Sequence, residues 1–425
     1  MRRVIGHPLV WLALVLAALL GLAMAFAYIG GFTDPVGSLR GLPIAVVNAD
    51  QPQTVAGRRV DVGRRFVAAL RAARTNAEQP VRFVDYPSEA AARRALGDDR
   101  IIGAVLLPAD LSRSVARIGT SLGDAPPGRV TLLRNVAAGS LQPAVFDAAT
   151  RRAVDELAAS VRDQLASVLA SVGARLEPSS VASLARPVVA TTVDVPPLGN
   201  RAGRALPPFY LAVVSTLTGL LGMTALHTTF GALAGRDHLE ALGRSLPVRR
   251  VELSVRQRFA AEAVLAVPMA GLAGGAVAWM AVGVVGTEAQ RPWLVAVFAM
   301  AAVLAIAWVA LAFLTAFGIL GDLVAILATT IFGVPSARGV YPEQAMPAFF
   351  RGLGAVLPLR WITDGMRAAF YFDGRATAGL AGGWAALVMY GIGGLAVGWL
   401  VTLVVERNEA RAVRAAATGP AAAAS

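Results

Sequence analysis

The chain has 425 residues, is 56% hydrophobic and carries a formal charge of +12, with no lysine and no cysteine. Its mean hydropathy of +0.61 is too high for a soluble domain of ordinary composition. Without cysteine there is no disulfide, cysteine-ligated zinc, iron–sulfur cluster or thiol nucleophile, and without lysine there is no G-x-x-x-x-G-K-[S/T] phosphate loop.

The apolar residues collect in runs. Pro8 to about Ile29, after Arg2 and Arg3, predicts a first membrane span, because about 20 helical residues cross a hydrocarbon core. Ala23-Met24-Ala25 also fits a signal-peptidase site. The apolar run continues through Phe26, Tyr28 and Ile29, which favours an uncleaved anchor. The span and its short N-terminal flank take up residues 1–30.

Residues 31–206 differ in kind. Leu42–Asn48, Val81–Val84, Ile101–Leu107 and Arg129–Leu133 read as strands. Arg- and Ala-rich helical stretches lie between them, Phe66–Arg74 and Glu89–Leu96 among them, so an α/β domain is expected. Gln142 to about Val172 places Val145, Ala149, Val154, Leu157, Val161, Leu165, Val168 and Leu169 at helical spacing. That predicts one long helix, a stalk or dimer contact.

Five further spans are expected within residues 207–405. Pro208–Ala234 and Phe259–Val285 are the first two. Trp293–Val334 would be about twice the bilayer thickness as a single helix. It is therefore read as a hairpin turning near Gly318, Gly321 and Asp322. Leu380–Val405 is the last. Six spans put the start of the chain, the loop 235–258 and the tail 406–425 on one side, and all three are Arg-rich, which marks the cytoplasm. The α/β domain then lies outside. The stretch 336–375 would also be outside, yet it holds Arg338, Arg351, Arg360, Arg367 and Arg375. It is read as re-entrant.

Candidate functional groups are few. His7 and His238 sit at membrane edges without metal-ligand partners, and His227 lies inside a span. Glu262 follows Arg258 by four residues and can pair with it. In the loop, Pro247 can start a helix with Val248, Val251 and Val255 on one face and Arg249, Glu252 and Arg256 on another. That helix would lie on anionic headgroups or dock a partner ATPase through Arg244, Arg249, Arg250, Glu252 and Arg256. In the re-entrant segment, Arg360, Asp364 and Arg367 share a helical stripe, with Trp361, Ile362, Ala369 and Phe370 as apolar contacts. A structural seal and direct substrate contact are both open there. No cofactor or metal is expected. The arginines beside apolar runs point to lipid, not nucleic acid. The Lys-free, Ala- and Arg-rich composition suggests a high-GC bacterial source, hence a multi-pass bacterial cell-membrane protein.

Three stretches together resemble the type-2 ABC transporter permease superfamily, in the phage-infection-protein-like branch with a large outer domain after the first span. They are Leu42–Asp50, Ile102–Ser112 (with Leu111 where the branch has Phe) and Gly333–Phe372. The resemblance implies an α-helical membrane protein of six spans, with the α/β domain inserted between the first two. It further implies a homodimer or heterodimer, export of lipid, glycan, peptide or drug-like substrate, and a separate ATP-binding-cassette subunit at the basic loop. A non-transporting scaffold or secretion accessory is the alternative. Neither reading makes the chain itself an enzyme.

Overall fold

A computed structural model describes residues 8–30, 39, 41–55, 58–72, 81–120, 126–172, 184–199, 202–234, 240–241, 244–245 and 251–417. The chain divides into two compact units. One comprises Met1–Thr33, Pro207–Gly339 and Ala348–Ser425; the other comprises Asp34–Leu206 and Val340–Pro347. The chain opens with α1 (Pro8–Ala25), which continues into a π turn, Phe26–Gly30.

The α/β unit follows in the order β1 (Leu42–Asn48), β2 (Gln53–Val55), β3 (Arg58–Val60), α2 (Val62–Ala72), β4 (Val81–Asp85), α3 (Glu89–Gly97), β5 (Gly103–Leu107), α4 (Leu111–Thr120), β6 (Gly128–Arg134), α5 (Leu141–Val172) and β7 (Val188–Asp194). Its main sheet has the order β4-β1-β5-β6-β7. β1 runs parallel to β4 and β5, β5 runs antiparallel to β6, and β6 runs parallel to β7. β1 and β5 are buried on both faces, which is why they read as unbroken apolar runs. On one face, Phe66 and Leu70 of α2, Leu111 and Val115 of α4, and Phe146, Val154, Leu157 and Val161 of α5 form the larger core. On the other, α3 contributes Ala92, Ala95 and Leu96. Ala345, from the distant segment Val340–Pro347, is buried in the larger core. The Ser140 hydroxyl donates to the Val340 carbonyl at 3.4 Å.

Four expected strands are present with small shifts. Ile101 and Ile102 precede β5 instead of opening it, and the helix expected over Phe66–Arg74 begins earlier, at Val62. Expected residues Ala73 and Arg74 lie outside the described residues. The β2–β3 ribbon and β7 are additions. β7 was illegible because only Val188 of its seven residues is buried, so neither an apolar run nor clean alternation marks it.

Asp50 ties the unit together. Its carboxylate accepts from the backbone N–H of Gly63 at 2.7 Å, the N–H of Ser112 at 2.8 Å and the Ser112 hydroxyl at 2.6 Å. The Ser112 oxygen in turn accepts from the Val62 N–H at 2.8 Å. These are first-turn donors of α2 and α4, which lack intrahelical partners. One carboxylate therefore caps two helices, where the dipoles also favour it. Asp50→Ala is expected to cost roughly 2–4 kcal/mol, from the lost caps and charge-assisted bonds. Thermal unfolding of the full chain in detergent reads this, and a shift no larger than that of an exposed control such as Glu89→Ala would contradict it.

The membrane unit continues with α6 (Pro207–Leu233), α7 (Val255–Trp279, extended by a π turn to Val284), α8 (Pro292–Phe317), α9 (Ile319–Ile326), α10 (Ala348–Val356), α11 (Pro358–Tyr371) and α12 (Leu380–Ala417). Four stretches are long and apolar enough to cross a membrane: Pro207–Leu233, Val255–Val284, Pro292–Phe317 and Leu380–Asn408. Two shorter apolar helical stretches, Ala18–Tyr28 and Leu320–Ser336, accompany them. The molecule is therefore a multi-pass membrane protein carrying an α/β unit. By length and composition, four of the six expected spans are present among the described residues.

The second arm of the expected hairpin is a shorter helical stretch, in which α9 runs through a π turn Leu327–Ile331 into a last turn Gly333–Ser336. The hairpin does turn at Gly318, whose φ of 60° suits glycine. The final helix outruns its expected end at Val405, because the following Glu, Arg and Ala residues are good helix formers. Helix α8 is the central one: it packs against α6, α7 and α12 and is the most buried of the four long apolar helices. A Cβ at Gly219 of α6 would lie 2.6 Å from the Val303 carbonyl oxygen, and one at Gly274 of α7 would lie 2.7 Å from Met300 Cα. Small residues thus let two neighbours approach the α8 backbone, as lipid-embedded helices require. Gly219→Val should cost about 3 kcal/mol by overpacking, since the obstacle is backbone and cannot rotate away. Its unfolding temperature should fall well below that of Gly271→Val, where a Cβ meets nothing.

Candidate functional site

Two groups of buried charge stand out in the membrane unit. The first is built on α10 and α11. Leu357 is extended and Pro358 opens α11, so the chain turns sharply between two short helices, neither long enough to span. Helix α11 packs against α6, α8 and α12. Phe370 is fully buried, as are Ile362 and Ala369, which the apolar pattern anticipated. Gly365 lies under Phe298, whose ring a Cβ would meet at 2.2 Å. The edge-to-face rings of Phe26 and Phe349, with centroids 5.5 Å apart, bring the end of the first helix against α10.

Asp364 is the focus of this group. Arg360 lies 3.9 Å from it one turn before, and Arg367 lies 3.7 Å from it one turn after. Arg338, which the stripe did not include, reaches it at 3.5 Å from the loop after the second arm. Arg367 is 4% exposed, and it also donates to the Arg338 carbonyl at 2.8 Å. Arg338 holds φ at 55°, a conformation unfavourable for a side-chain-bearing residue. The bonds from Asp364 and Arg367 hold that bend in place. Arg360 lies over the Trp361 ring at 5.3 Å, and the Trp361 indole donates to the Ala355 carbonyl at 3.3 Å. The arrangement fastens α11 to the loop, and it concentrates guanidinium groups that match carboxylate or phosphate.

The second group was only half visible in the sequence. Arg258 Nε donates to Glu262 Oε1 at 2.7 Å, one helical turn away on α7. Glu262 Oε2 lies 2.8 Å from His227 Nδ1 on α6, and Arg258 Nη2 donates to the His227 carbonyl at 2.6 Å. Glu262 is 1% exposed and Arg258 9%. A carboxylate only accepts, so the bond to Glu262 places a proton on Nδ1. A cavity of about 200 Å³ adjoins the triad, with Thr315, Gly318 and Val405 on its other walls. His227 and Glu262 are 35 residues apart, and nothing in the spacing joins them. Asp322 accepts from the Thr224 hydroxyl at 2.8 Å in the first turn of α9.

The basic loop is only partly described. Arg249 and Arg250 lie outside the described residues, as do His7 and His238. Arg244 belongs to a two-residue strand paired with Glu240–Ala241. The helix expected from Pro247 is absent over 251–254, where Glu252 is exposed and outside any helix. Ser254 and Gln257 form a capping box, and this sets the helix start at Val255. Arg256 stands in that first turn and pairs with Glu406 at 2.6 Å. Glu252 and Arg256 therefore do not share a helical face.

The α/β unit holds a groove of about 660 Å³ between α5, β6 and β7. Arg134 bridges it, donating to Asp194 at 2.8 Å and to Asp147 at 2.5 Å. The bond to Asp194 is the main reason its basicity is raised above the ordinary arginine range, and the Asp147 pair adds to it. Among the described residues, no group of three or more His, Cys, Asp or Glu could hold a metal.

A family model described as a protein of unknown function, DUF3533, matches residues 13–390. No curated protein and no solved structure matches the chain.

Proposed function

We propose that this chain, which belongs to the DUF3533 family over most of its length, is the membrane subunit of an exporter. It would move lipid, glycan, peptide or drug-like substrate out of a bacterial cell, energised by a separate ATP-binding-cassette subunit. The observation that carries the reading is the pair α10–α11, two helices too short to span that are packed into the bundle by a partly buried Asp364–arginine cluster. A re-entrant pair of this kind closes the outer end of a substrate path. The reading counts α1 with its π turn, and the second arm Ile319–Ser336, as the remaining two of six spans. Arginine bias then puts the loop 235–258 inside, where Arg244, Arg249, Arg250, Glu252 and Arg256 meet the ATPase, and puts the α/β unit outside.

The test is purification from the native membrane in mild detergent, with efflux measured in a deletion strain. A bound ATP-binding-cassette protein and reduced efflux are expected. A chain that brings down no ATPase, with efflux unchanged on deletion, would sink the proposal. A scaffold or secretion accessory is the second reading, favoured by the long α5 and the polar groove beside it. Stable co-purification with envelope proteins alone would select it.

A further inference from the structure

The main sheet ends on β7, and among the described residues β7 pairs only with β6. The Val195 N–H donates to the Arg134 carbonyl, and the Gly128 N–H to the Pro187 carbonyl. In a parallel ladder a residue turns both backbone groups to the same neighbour, and its successor turns both away. Odd-numbered residues of this strand therefore face β6. Val188, Ala190, Thr192 and Asp194 direct N–H and C=O to the open edge.

Open edges are ordinarily blunted by charge, proline, a bulge or short length. The opposite edge, β4, has five residues and carries Arg82 among them. β7 carries only the terminal Asp194 as such a device: its register on β6 is unbroken for seven pairs, and Val188–Val193 has no charged residue or proline. Five of those six residues are β-branched, and Val189 and Val193 are 38% and 40% exposed. Such an edge is a template for another strand.

We propose that the other strand is β7 of a second copy, paired antiparallel about a two-fold axis at Ala190. The two sheets then join into one. Charge selects this register. Centred on Ala190, the pairing sets Arg186, which is exposed, opposite Asp194 of the second copy, twice by symmetry. Asp194 keeps 41% of its side chain exposed while it holds Arg134. Val188 is buried on the α5 side, and Arg186 and Asp194 both line the groove beside α5, so they meet on one face. Centring on Val188 sets Arg186 against Ala190, and centring on Thr192 sets it against Leu198. Centring on Val189 sets Arg186 against Thr192, and centring on Thr191 sets it against Pro196. The remaining pairs, Val188 with Thr192 and Val189 with Thr191, are β-branched matches that favour a sheet. The inference does not rest on the export reading, since exporter and scaffold can both dimerise this way.

The absence of cysteine makes the register directly measurable. Full-length chains bearing Val189→Cys and Thr191→Cys, with different tags, are co-expressed and oxidised in mild detergent. Opposed residues of a non-hydrogen-bonded antiparallel pair stand about 4.5 Å apart at Cα, within disulfide reach. A cross-linked mixed dimer is expected. Val189→Cys with Val193→Cys should give several-fold less. Ala190→Pro in both chains should lower the yield several-fold, because it removes an outward N–H and leaves the β6 ladder intact. The proposal is overturned if the first pair does not cross-link, if the offset pair cross-links equally, or if the first pair captures a different protein. An unchanged yield with Ala190→Pro also overturns it. Should that variant not fold, the comparison of the two cysteine pairs decides alone.

Discussion

Glu262→Ala should leave little folded protein in the membrane. Glu262 is 1% exposed and is the shared acceptor for Arg258 and His227. Its loss strands a guanidinium inside a membrane span, with only the His227 carbonyl to accept from it among the contacts described above. Breaking a buried ion pair from one side costs about 3–5 kcal/mol, because the remaining charge stays desolvated. Total stabilities of about 5–15 kcal/mol leave small margin for that. The sharper expectation concerns the double variant. Arg258→Met with Glu262→Leu removes both charges and keeps similar volume, so most of the loss should be recovered. His227→Phe should be milder than Glu262→Ala, since the Arg258–Glu262 pair survives. Membrane yield and the unfolding temperature in detergent measure all three. A single variant as stable as the double would show that the triad does not hold α6 to α7.

Asp364→Ala should come next in effect. Arg338, Arg360 and Arg367 all lie within 4 Å of this carboxylate, at 3.5, 3.9 and 3.7 Å. Removing it leaves like charges facing one another in a region that is 14% exposed at Asp364 and 4% at Arg367. A cost of about 3–5 kcal/mol is expected on the same physical grounds. The damage should be local, with faster proteolysis between residues 336 and 375. Substituting the arginines should rank them. Arg367→Met removes both the Asp364 contact and the bond to the Arg338 carbonyl, so it should cost more than Arg360→Met. Arg360 makes the longer contact and rests on Trp361. If Arg360→Met proves the more damaging, the strut from α11 to the Arg338 bend is not what holds the segment. On the export reading, Asp364→Asn should also reduce efflux at equal protein level.

The membrane character needed nothing beyond the sequence. A run such as Pro292–Phe317 has few polar side chains, and hydropathy in such runs is additive along the chain. The α/β character was equally legible. β1 as far as Val47 and all of β5 are apolar because both faces are buried, and α5 shows its helical period over 32 residues. The pairings Arg258–Glu262 and Arg360–Asp364–Arg367 were also readable, because residues one turn apart on a helix must meet.

What escaped the sequence depends on which distant segments touch. His227 joins Glu262, Arg338 joins Asp364, and Asp50 joins Ser112 across 62 residues, all through packing that no local spacing encodes. β7 was missed because its exposed face and open edge leave no burial pattern to read. The amphipathic spacing of the basic loop suggests a helix from Pro247, but residues 251–254 are not helical, and the Ser254–Gln257 capping box starts the helix at Val255. Local composition therefore determined the four long apolar helices and most strands and helices of the α/β unit. The tertiary structure alone decided which charges share a partner, because a buried charge is tolerable only where packing supplies its counterpart.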